Sequence, residues 1–109
     1  MNKNTLYIVG GVIVIALVVW AGYSYMQDAV KGHATTAIDL YLDGKFEESL
    51  DEILIANEKG YTTTSLDITH GQVLAELKRY DEARALYESI KANDPSAIAA
   101  VDELLAQLP

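Results

Sequence analysis

Cysteine is absent from all 109 residues, which removes disulfides, thiolate metal ligands and thiol nucleophiles together and leaves the redox compartment undetermined. Charge is missing from the first quarter of the chain, where Lys3 is the only charged side chain before Asp28. Basic charge is scarce in the remainder: 7 basic groups stand against 16 carboxylates, a net of −9 for residues 28–109. Such an acidic head repels nucleic-acid phosphate and anionic lipid headgroups. The length allows one small domain beside any membrane segment, so function is expected on a surface and not in a large enclosed cavity.

Catalytic apparatus is also missing. His33 and His70 are far apart, and neither falls in a His-x-x-x-His or Glu-x-x-His pair, so surface or helix-end histidines are expected and no metal site. Glu47, Glu48, Asp51 and Glu52 place several carboxylates on one helix, a pattern that reads as a solvated face. There is no phosphate-cradling glycine loop and no Gly-x-Ser-x-Gly, and Gly10-Gly11 lies inside an apolar run. The chain is therefore expected to be no enzyme and to carry no cofactor.

What is present first is a long apolar run. Leu6 to Tyr25 reads LYIVGGVIVIALVVWAGYSY, and ten of its residues are Leu, Ile or Val. Twenty helical residues span about 30 Å, the thickness of the hydrocarbon core, and ten such side chains contribute roughly −3 to −6 kcal/mol to insertion. Tyr7 at one end and Trp20, Tyr23 and Tyr25 at the other suit the headgroup levels. Residues 1–27 are thus expected to be a single-pass transmembrane anchor; the competing reading is a secretory signal cut after Ala21. No ionisable group for a proton path and no Gly-x-x-x-Gly pair occurs in the span. Lys3 and the amino group outweigh the cancelling Asp28 and Lys31, which places the N-terminus in the cytoplasm and the head in the periplasm or another extracytoplasmic space.

Beyond Lys31 apolar residues recur at helical spacing, for example Ala34, Ala37, Ile38 and Tyr41, then Phe46, Leu50, Ile53 and Leu54. Gly44 and Gly60 fit left-handed positions just past helix ends, Asp94-Pro95 permits a new start, and Thr64 with Asp67 reads as a capping box. The spacing predicts helices over 29–43, 46–59, 64–78, 81–93 and 95–107, an all-α head of about five helices over residues 28–109.

Sliding the chain by 34 residues aligns Ala37 with Gly71, Leu40 with Leu74, Phe46 with Tyr80, Ser49 with Ala83 and Ile53 with Tyr87. With Glu82-Ala83 and Pro95 at the matching spacing, the head resembles the tetratricopeptide repeat family, whose unit is a 34-residue helix-turn-helix. The resemblance covers about residues 29–108: a first repeat near 29–62, a second near 63–96 and a capping helix over 96–108. Departures are Ser49 for the usual alanine, Tyr61 for the usual proline, and His33 and Asp67 near the starts of the first helices. Two repeats are few for a solenoid, so self-association or support from a partner is expected.

By resemblance the first helices of the two repeats line a partner-binding groove built from Ala34, Ile38, Tyr41, Ile68, Gln72 and Ala75. The groove lacks the Lys, Arg and Asn that would grip a peptide carboxylate, so a helix or extended apolar segment anchored at Tyr41 is the implied ligand; the alternative is that Ile38 and Tyr41 are core. Together these features imply a membrane-anchored interaction scaffold or assembly adaptor with a membrane-associated protein partner, or alternatively a structural accessory subunit of a larger membrane enzyme.

Overall fold

A polar-to-apolar rhythm near 3.6 residues, interrupted by short turns, folds the head into helices that each pack on the next. The computed structural model describes residues 15–21 and 31–109, and all regular structure among them is helical. Helix α1 covers 31–42, α2 Phe46–Glu58, α3 Thr64–Glu76 and α4 Tyr80–Asn93; a 3-10 turn, Pro95–Ala97, leads into α5, Ile98–Ala106. Most of the apolar run Leu6–Tyr25 lies outside the described residues. Its described part, 15–21, is helical and exposes Ile15, Leu17, Val18, Val19 and Trp20. Among the described residues no helix is long and apolar enough to cross a membrane.

The turn from α1 to α2 and the turn from α3 to α4 are built alike. Gly44 has φ +79°, its N–H donates to the Tyr41 carbonyl at 3.0 Å, and the Lys45 N–H donates to the Leu40 carbonyl at 2.9 Å. In the second pair Lys78 has φ +63°, its N–H donates to the Ala75 carbonyl at 3.0 Å, and the Arg79 N–H donates to the Leu74 carbonyl at 2.8 Å. Each donor and acceptor is displaced by the 34 residues of the sequence alignment. A left-handed residue here lets the chain reverse while satisfying the last carbonyls of the helix. Lysine accepts that backbone at a steric cost that glycine escapes.

The start of α3 differs from expectation by one residue. Thr63, and not Thr64, is the N-cap: its hydroxyl oxygen accepts the Leu66 N–H at 3.1 Å. Thr64 instead donates to Asp94 Oδ2 at 2.8 Å, and Thr62 donates to Asp67 Oδ1 at 2.8 Å. Asp94 also accepts the Ser96 N–H, which ties the exit of α4 to the entrance of α3. These bonds from Ser96 and Thr64 hold the Asp94 carboxyl below its ordinary value.

The core runs along the helix crossings. Ala37, Ile53, Ala56, Val73, Ala83 and Val101 are sealed from solvent. Gly71 lies under the Tyr87 ring so closely that an added Cβ would stand 2.8 Å from Cζ and 2.9 Å from Cδ1. Only a residue without a side chain allows that approach. At the corresponding crossing of the first pair, buried Ser49 donates its hydroxyl to the Ala37 carbonyl at 2.6 Å. The departure from alanine is therefore accommodated by a hydrogen bond. A second link between α1 and α2 joins His33 Nδ1 and Glu52 Oε2 at 2.5 Å.

Candidate partner-binding face

The stripe Ile68, Gln72, Ala75 and Glu76 follows one face of α3, since residues three and four apart are neighbours on a helix. Tyr41 comes from the end of α1, fixed by its tilted contact with the Phe46 ring, centroids 5.8 Å apart. Tyr41, Gln72 and Ala75 meet at a concavity of about 270 Å³ that Glu76 also lines. Tyr80 and Tyr87 of α4 enter from below, and Leu104, Gln107, Leu108 and Pro109 close the side toward the C-terminus. Arg84 donates to the Pro109 carbonyl at 3.0 Å and holds that last segment against α4.

The other three sequence-predicted groove residues are placed differently. Ala34 is only 6% exposed and belongs to the core; Ile38 is half-buried; Ile68 is half-buried and packs on the core. None of the three lines the concavity. Glu76, Tyr80, Tyr87 and the C-terminal residues were not expected from sequence to line the groove. Glu76 was legible, because it lies one turn beyond Gln72 on the same face; the approach of the C-terminal segment was not, because it depends on the angle of α5.

Electrostatically the concavity holds one ionisable acid, Glu76, among phenols. Burial raises the Tyr41 phenol above its ordinary value, and the nearby Glu76 carboxylate adds to this. Burial also pushes the Tyr87 phenol up to about 12, with Tyr41 contributing. Both tyrosines therefore remain neutral hydrogen-bonding groups at any physiological pH.

A second concavity, of about 410 Å³, lies between α2 and α4 and was not anticipated. Leu50, Leu54, Leu74 and Leu86 line it with His70, and the Arg79–Glu82 pair stands at its edge. Burial lowers the His70 pKa, with Asp67 acting in the opposite direction. Glu47, Glu48 and Asp51 are exposed, whereas Glu52 is half-buried through its contact with His33. Among the described residues no group of three or more His, Asp or Glu gathers in metal-binding proximity. Comparison with protein-family models, with curated proteins and with solved structures gives no match for this chain.

Proposed function

We propose that this protein is a membrane-tethered scaffold or assembly adaptor of tetratricopeptide-repeat type, whose activity is binding and not reaction. The observation that carries the reading is the meeting of Tyr41, Gln72 and Ala75, from the first helix of each repeat, at one surface concavity. The 34-residue recurrence of the turn hydrogen bonds supports the repeat assignment. A partner segment crossing both first helices buries Tyr41 as its central anchor, the kind of amphipathic ring favoured at interface centres.

The tether rests on the apolar run Leu6–Tyr25 and on the exposed apolar side chains of 15–21. Anchoring the head beside a membrane raises its effective concentration for partners in the same bilayer. The charge balance around the run places the head on the extracytoplasmic side. Protease added outside spheroplasts is expected to digest the head while a cytoplasmic control survives; protection of the head contradicts this orientation.

Binding is tested with full-length protein purified in mild detergent. Tyr41→Ala and Gln72→Ala are expected to fold, by circular dichroism, and to lose the stoichiometric partner that the wild type retains. Full retention by both folded variants contradicts the assignment of this face.

A further inference from the structure

The polar inventory of the concavity beside Tyr41 selects a ligand chemistry. Tyr87 is 1% exposed, yet among the described residues its hydroxyl makes no hydrogen bond, and it lines the concavity. The hydroxyl is not among the sealed side-chain atoms left without a partner, so it keeps access to the concavity and is open to a hydrogen bond from a bound group. Gln72 contributes an amide, Tyr41 and Tyr80 contribute phenol rings, and among the described residues Glu76 contributes the one carboxylate side chain of the lining. Among the described residues no lysine or arginine lines the site to offset it.

An anionic ligand is repelled by Glu76 and finds no cation there. A purely apolar ligand leaves the Tyr87 hydroxyl and the Gln72 amide without partners. A cation rich in donors meets every group: the carboxylate and the phenol and amide oxygens accept, and the tyrosine faces attract positive charge. Guanidinium fits better than ammonium, because its planar fork donates in several directions at once while its face stacks on a ring.

We propose that the concavity between α1, α3 and α4 receives an arginine side chain of the partner segment, with Glu76 as its counter-ion and Tyr87 and Gln72 as hydrogen-bond acceptors. The assignment rests on the proposed use of this face for partner binding and names the chemistry of that partner. Ile38 and Ile68, which lie on the same two helices outside the concavity, flank the arginine with apolar contact for the rest of the segment.

The test uses the full chain in detergent and a fluorescent peptide, acetyl-Leu-Leu-Arg-Leu-Leu-amide, against the same peptide carrying citrulline, the neutral isostere. Removing a charge-assisted bond to Glu76 is expected to weaken binding about tenfold or more for citrulline, and similarly for arginine peptide on Glu76→Gln. Tyr87→Phe keeps the ring on Gly71 and deletes only the hydroxyl, and is expected to weaken both peptides, since citrulline keeps N–H donors, and to leave the difference between them in place. Equal affinities of the two peptides, or undiminished binding by Glu76→Gln, overturn the arginine assignment. Free arginine amide binding as tightly as the peptide overturns a partner segment as its source. Retention of the native partner separates the two readings. Loss with folded Tyr41→Ala but not with Glu76→Gln leaves the face and removes the arginine pocket, whereas no loss with either variant removes the face itself.

Discussion

At single positions the fold depends on side chains that are small for a stated reason. Gly71 lies against Tyr87, so Gly71→Ala overpacks a crossing that cannot open without moving a buried ring. A loss of about 1–3 kcal/mol is expected, read as a lower midpoint in chemical denaturation. Ala83→Leu at the same fully buried crossing is expected to cost a similar amount, about 1–3 kcal/mol. Unchanged stability in both contradicts the packing described. Ser49→Ala forfeits only the bond to a carbonyl within α1, and about 0.5–1.5 kcal/mol is expected. These crossings were legible in the sequence as paired small and aromatic residues. The compensation at Ser49 was not, because a hydroxyl's partner across a crossing depends on three-dimensional approach.

Within and between elements, boundaries followed local backbone rules where the residue chemistry was unambiguous. Gly44 and Gly60 occupy the left-handed conformation expected of them. Lys78 occupies it as well, and nothing in a lysine signals this; only its place 34 residues after Gly44 does. Lys78→Gly relieves that strain, and a gain of up to about 1 kcal/mol is expected, whereas Gly44→Ala should lose about 1 kcal/mol. Thermal denaturation of the two variants checks the opposite signs. The cap of α3 slipped by one residue from expectation because Thr62, Thr63 and Thr64 offer equivalent hydroxyls, and long-range bonding of Thr64 to Asp94 decides among them.

His70 ties the α2–α4 concavity to pH. Its pKa is lowered by burial in the folded head, so the unfolded chain takes up a proton more readily. Stability from this group is therefore complete above the ordinary value of 6.5 and falls as pH drops below it toward the lowered folded value. Denaturation midpoints are expected to decline across that window in the wild type and to decline less in His70→Gln. Identical profiles contradict a burial-driven shift.

Over the whole molecule, the all-helical architecture of the described residues was readable from apolar spacing, and the 34-residue recurrence from aligning the chain with itself. Half of the candidate groove was readable too: Tyr41, Gln72 and Ala75 converge, while Ala34 is core and Ile38 and Ile68 lie outside the concavity. Face membership on a helix follows from periodicity, but which parts of two faces converge depends on crossing angles that periodicity does not encode. The net charge of −9 over residues 28–109 suits the basic partner segment proposed above. Partner association is accordingly expected to weaken as salt is raised, whereas helix packing is not.

In the function proposed above, the face formed by α1 and α3 holds a protein partner. The most direct test is the stoichiometry of what remains bound to full-length protein from native membranes, compared by mass spectrometry between the wild type and a folded Tyr41→Ala variant. A partner at fixed ratio on the wild type and its loss from the variant are expected; the same partner at the same ratio on both would rule out this use of the face.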